Sequence, residues 1–176
     1  MRRDIETQLV KYLNDAHLME MQSMTMLEKA IEISGDLQLS QLYRGHLNDT
    51  RDHERYVKQR LEAMGKTPSP MKNLAGKVGA MGLGMLTQVM PDTPAKLAGL
   101  AFAYENFEVA SYKMLRKVAE IAEDEETLSM CDRLIPVEQQ AAELIANNLD
   151  LAVHRSLEEL VDLPGPAVGR DPGPHA

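Results

Sequence analysis

LAGLAFAYENFEVASYKML, residues 97–115, places two glutamates where a helix would bury leucines. Leu97, Ala101 and Leu115, continued by Ala122, recur at the three-to-four spacing of one helical face, and Glu105 and Glu108 fall inside that stripe. The same lapse recurs along the chain. Leu9, Leu13, Met24, Leu27 and Ile31 form a stripe that contains His17 and Glu20. Leu39, Leu42, Val57, Leu61 and Met64 form another, interrupted by His46, Asp49 and His53. Leu128, Cys131, Ile135, Ala142, Ile145 and Leu149 surround Glu138. Charged side chains are almost never fully buried unless paired or bound to a metal. One inward carboxylate is noise, but at least one on each of four stripes predicts a metal site at the centre of a four-helix bundle.

Composition supports that architecture. The 176 residues fit one domain with a sizeable core, and Leu, Ala, Met, Glu and Lys dominate while aromatics make up 4%. With 19 basic and 27 acidic residues the net charge is −8, which argues against nucleic acid or an anionic membrane as the main partner. Cys131 is the only cysteine, so an internal disulfide is excluded and a reducing compartment is expected. The start of the chain shows no export signal, and Val78–Val89 is too short to span a bilayer. The expectation is a cytoplasmic, all-α protein.

Punctuation gives the topology. A first helix, 4–33, ends at Ser34-Gly35-Asp36, where glycine terminates one helix and Asp36 caps the next. A second helix, 37–64, ends at Gly65. The third starts at Thr93-Pro94 and runs to Ala122. A fourth follows the acidic turn 123–126, bends at Pro136 and reaches Asn148 or beyond. Short turns make two antiparallel hairpins, and about thirty residues, Gly65–Ala95, join them. One long crossover between two helical hairpins is the ferritin-like arrangement. Met71–Gln88 should carry a short extra helix within it. Residues 1–162 are expected to form the bundle and 163–176, rich in Pro and Gly, a disordered tail.

Residues equidistant from a hairpin turn lie side by side, which tests whether the inward polar groups meet. Glu20 lies fifteen residues before Gly35 and faces position 50, beside Asp49 and His53. Glu108 faces position 139, beside Glu138. Both pairs sit about 22 Å from their turns at the usual helical rise, so all four helices can contribute at one level. Carboxylates with one or two imidazoles suit iron or manganese, and zinc can use the same donors. The candidate ligands are Glu20, Asp49, His53, Glu105, Glu108 and Glu138, for one or two ions. His17, His46, Tyr104 and Tyr112 are expected to support them, the tyrosines through hydrogen bonds to site carboxylates. The methionines Met19, Met21, Met24 and Met26 point in several directions on a helix and read as core filling.

These residues also carry a resemblance. Leu13-Asn14-Asp15-Ala16-His17-Leu18-Met19-Glu20, His46-Leu47-Asn48-Asp49-Thr50 and the stretch from Tyr104 to Tyr112 resemble three motifs of the YciE/YciF-type ferritin-like proteins, in the same order. In the first motif His17 stands where the family has tyrosine. The resemblance covers about residues 5–152 and implies a ferritin-like fold in a bacterial, stress-associated family of unknown activity. Wider ferritin-like dimetal proteins supply Glu-x-x-His from two helices. Here Thr50-Arg51-Asp52-His53 lacks the glutamate, and Ala141 stands where Glu138 would be followed by histidine. The implied function is non-haem metal binding, with Fe(II) oxidation by peroxide or dioxygen as the chemistry. The alternative is a structural or interaction bundle whose site is vestigial or only stabilising. A homodimer is the expected assembly.

Overall fold

The computed structural model describes residues 2–68 and 92–158. Among the described residues five helices follow one another: α1 (Arg2–Ile33), α2 (Leu37–Ala63), α3 (Pro94–Ala122), α4 (Glu125–Ala146) and α5 (Leu149–Leu157). Each start has a local cause. Asp36 accepts a hydrogen bond from the Leu39 amide, Thr93 from Lys96 and Asp124 from Thr127, each satisfying an amide that the first helical turn leaves without a partner. Gly35 takes φ +59 between α1 and α2, a conformation only glycine adopts at no steric cost. Glu123 takes the same left-handed conformation, φ 57, between α3 and α4.

The helices α1 to α4 pack in the cyclic order α2, α1, α3, α4, with α4 closing against α2 and α5 lying on α3. Tyr112 meets Glu20 and Ser23 meets Glu108, so α3 runs antiparallel to α1 and therefore parallel to α2. The end of α2 and the start of α3 consequently lie at opposite ends of the bundle. Arg60, near the end of α2, pairs with Asp124 and Glu126 at the α3–α4 turn. At the other end Arg155 of α5 reaches Asp36 at 2.8 Å, and the Ala95 amide donates to Ser156 Oγ. This is the ferritin-like bundle that the loop lengths predicted.

One detail differs from the sequence reading. The fourth helix stops at Ala146 instead of reaching Asn148, because Asn147 and Asn148 break it and α5 begins afresh at Leu149. Pro136 lies within a continuous α4, at an exposed position. The crossover helix at 71–88 and the tail at 163–176 lie outside the described residues. Among the described residues no helix is long and apolar enough to cross a membrane.

The core is layered by heptads. Leu13 and Leu27, Ala101 and Leu115, and Cys131 and Ile145 are each buried seven residues either side of Glu20, Glu108 and Glu138. Burying a leucine or isoleucine stabilises the fold by about 1.5–3 kcal/mol. Apolar layers above and below thus offset a polar layer at mid-height.

Candidate metal centre

That polar layer contains six ionisable side chains, none more than 5% exposed: Glu20 from α1, His46 and His53 from α2, Glu105 and Glu108 from α3, and Glu138 from α4. On α2 the buried residues Leu39, Tyr43, His46, Thr50, His53, Val57 and Leu61 follow one another at three or four residues, which keeps both histidines on one face, with Leu47 buried beside them. Thr50 fits between them by donating its hydroxyl to the His46 carbonyl at 2.9 Å.

Contacts within the layer are short. His53 Nδ1 lies 2.6 Å from Glu138 Oε1 and 4.0 Å from Glu20 Oε2. His46 Nε2 lies 2.6 Å from Glu105 Oε2, though not aligned as a hydrogen bond, and 3.5 Å from Glu138 Oε2. Tyr112 donates its hydroxyl to Glu20 Oε1. Ser23 Oγ lies 3.4 Å from Glu108 Oε2. Several atoms are left over: Glu20 Oε2, Glu105 Oε1, Glu108 Oε1, Glu138 Oε2 and His46 Nδ1 have no hydrogen-bond partner. Buried polar atoms in native proteins are nearly always satisfied, so this many in one layer call for an absent partner.

The electrostatics agree. Burial, then the charge of Glu138, pushes the Glu20 carboxyl well above the usual range, against the Tyr112 hydrogen bond that lowers it. Burial and the charges of Glu20, Glu138 and Glu105 do the same to Glu108. Glu105 is raised by burial, with His46 opposing. Burial disfavours a charged His46, but Glu105, Glu138 and Asp49 outweigh it and the pKa rises. Tyr112 is pushed up by burial and by Glu20. Carboxyls such as Glu20, Glu105 and Glu108, whose ionisation burial and mutual repulsion disfavour, are ones that a cation would stabilise.

Two groups of atoms lie close enough to share an ion. One oxygen each from Glu105, Glu108 and Glu138 and a nitrogen of His46 fall within 4.8 Å of one another, and Glu20, His53 and Glu138 form a second group. Glu138 belongs to both. The set of hard oxygens with one imidazole per group fits a divalent cation such as iron or manganese, and the unsatisfied oxygens are where it would bind. Such buried His and Glu groups could hold a metal ion.

Five of the six expected ligands are brought together. Asp49 is not: it is exposed, because Thr50 takes the inward position. His46, expected only to support the site, stands within it. His17 turns away to Glu54 at 2.7 Å, and Glu54 in turn adds to the negative field at Glu20, a contribution with no sign in the sequence pattern. Tyr112 bonds a site carboxylate, as expected. Tyr104 does not, since its hydroxyl donates to the Met19 carbonyl and lies 3.1 Å from Gln22 Oε1.

The family described as Domain of unknown function (DUF892) matches residues 4–158. The chain belongs to the DUF892 family. Solved structures share the fold. A protein from Xanthomonas campestris pv. campestris is 25% identical, with 89% of this chain covering 97% of that one at a TM-score of 0.71. The Escherichia coli stress protein YciF is 21% identical over 86% of this chain and 96% of its own, at a TM-score of 0.66. A two-domain protein from Anabaena variabilis, containing DJ-1/ThiJ/PfpI-like and ferritin-like domains, is 16% identical over 97% of this chain at a TM-score of 0.64. The DUF892 chain covers 42% of that longer protein. The YciE/YciF-type resemblance read from the three motifs therefore holds.

Proposed function

We propose that this DUF892 protein is a ferritin-like, non-haem metal protein that binds one or two iron or manganese ions in its central layer. The observation that carries the reading is the set of unsatisfied, fully buried carboxylate oxygens shared between two donor groups. Glu105, Glu108 and His46 would hold one ion, Glu20 and His53 the other, and Glu138 would bridge them. Bound iron would supply electron exchange with peroxide or dioxygen. The protein's own part is to fix the donors: Tyr112 orients Glu20, and apolar layers exclude bulk water. Zinc fits the same donors. A role in stress physiology is supported by the name of YciF, which is called a stress protein.

Metal content tests the proposal. Protein purified without chelator, alongside a Glu20→Ala/Glu138→Ala variant, is assayed by elemental analysis. One or two ions per chain, lost in the variant, is the expected result. No ion in either, even after anaerobic loading with Fe(II) and Mn(II), overturns it.

A second reading has specific support. His53 already meets Glu138, Tyr112 already meets Glu20, and Ala141 offers no imidazole. Such a site serves a structural or interaction bundle whose metal only stabilises it. Fe(II)-dependent consumption of peroxide or oxygen above that of free iron favours the redox reading; metal-dependent melting without turnover favours the structural one.

A further inference from the structure

A hollow of about 250 Å³ lies between α2 and α4, the helix pair with the least mutual contact around the bundle. Its walls include Leu42, Gly45, His46, Asp49, Val137 and Ala141. Three observations connect it to the polar layer. His46 belongs to both the wall of the hollow and the ligand cluster, and its buried Nδ1 has no partner. Ala141, one turn beyond Glu138 on the same helix, leaves open the volume that a longer side chain would fill. Gly45 contributes nothing either, since no atom lies within 4 Å of where its Cβ would sit.

The geometry points to this hollow as the passage by which divalent cations reach the buried carboxylates, with Asp49 as the first contact and His46 as the last. The inference rests on the metal-binding reading above. Asp49 is exposed, lines the hollow and brings a negative charge to its rim, which favours a cation over an anion or a neutral molecule. It thereby acquires a place in the site that its position outside the cluster denied it as a ligand. A larger hollow of about 610 Å³, bordered by Leu9, Arg60 and Ile121 at the α3–α4 turn, has no cluster residue in its wall. Because it borders no residue of the carboxylate layer, it offers a cation no comparable path.

Rate and capacity of metal uptake separate the inference from the reading it rests on. Metal-free full-length protein is mixed with Co(II), and visible absorbance follows binding in stopped flow. Gly45→Leu should bind the same number of ions with uptake slowed about tenfold, the factor given by a barrier raised by about 1.4 kcal/mol. Asp49→Asn should also slow uptake at low salt, and the difference from wild type should shrink as salt screens the rim charge. Gly99→Leu, at another exposed helical glycine with open space around it, controls for the general effect of replacing glycine and should bind at the wild-type rate. Wild-type rates in both Gly45→Leu and Asp49→Asn, with capacity intact, overturn the passage and leave the metal site standing. Failure of the wild type to bind Co(II) overturns both.

Discussion

Replacing Glu108 by glutamine should stabilise the metal-free protein and weaken the metal-loaded one. Glu108 is fully buried, and its ligand atoms lie within 4.8 Å of those of Glu105 and Glu138. Two ionised carboxylates at that distance repel by about 3.5 kcal/mol at an effective dielectric of about 20. Burial, and then the charges of Glu20, Glu138 and Glu105, push the Glu108 carboxyl well above the ordinary 4.5 and favour its protonated form in the folded protein. Holding that proton in neutral solution costs about 1.4 kcal/mol for each pH unit above the ordinary value, until the folded pKa is passed.

A neutral isostere removes the cost but must bury its own amide, so a net gain of about 2 kcal/mol at pH 7.5 is expected, or about 4–8 °C in Tm. The sign with pH follows from the raised folded pKa. In the wild type the native state binds more protons than the unfolded state, so stability is fullest below the unfolded pKa and falls as pH rises through the folded one. The advantage of Glu108→Gln should therefore vanish near pH 4.5 and grow toward pH 8. With Co(II) present the order reverses, because an ion at a hundred times its Kd adds about 2.7 kcal/mol to the wild type and less to the variant. Thermal unfolding by circular dichroism, with and without metal across that pH range, measures all of this. A metal-free variant less stable than wild type at pH 7.5 would refute the argument, because Glu108 would then be held by favourable contacts instead of being repelled.

Three further outcomes are expected. Tyr112→Phe leaves Glu20 without its buried hydroxyl donor and should destabilise the metal-free protein by about 1–3 kcal/mol, read from chemical denaturation; an unchanged midpoint means that the hydrogen bond contributes nothing. Glu123→Gly relieves a left-handed residue and should raise Tm by about 2–4 °C, whereas a fall would assign the Glu123 side chain a larger role than its backbone. Phe107, Met114 and Ile121 repeat every seven residues on the outer face of α3 and are 50–56% exposed, which supports a homodimer through that face. Phe107→Glu/Met114→Glu should shift sedimentation from dimer to monomer, and a wild type that sediments as a monomer ends the proposal.

How far the site could be read from sequence depended on which residue types marked each helical face. Glu20, Glu108 and Glu138 stand between clear apolar neighbours seven residues away, so period and level agreed on them. On α2 the inward face passes through Tyr43 and Thr50, which do not read as apolar, and Leu42 and Asp49 took their places in the pattern. A register shifted by one residue there exchanged Asp49 for Thr50. The seven-residue spacing of Leu39, His46 and His53, with Tyr43, Thr50 and Val57 repeating at the same interval beside it, is the signal that fixes the correct face. Tyr104 was misassigned for a different reason: a helical face tells which way a side chain leaves its backbone, not how far its hydroxyl reaches. The end of α4 at Asn147-Asn148 was not legible because an asparagine stops a helix through the packing beyond it as much as through its own preference.

The contacts of α5 bear on the order of folding. Each hairpin is local in sequence and can form by itself, but the bonds from Arg155 to Asp36 and from Ser156 to Ala95 join the turn of the first hairpin to the start of the second. In a chain made from its N-terminus, both hairpins precede the segment that ties them end to end. Closure of the carboxylate layer is then a late event, completed from outside the four helices that contain it. A chain stopped at Asn148 should retain its helical signal, while slow amide exchange about Glu20 and Glu138 is lost; persistence of that protection would mean that the hairpins settle their alignment unaided.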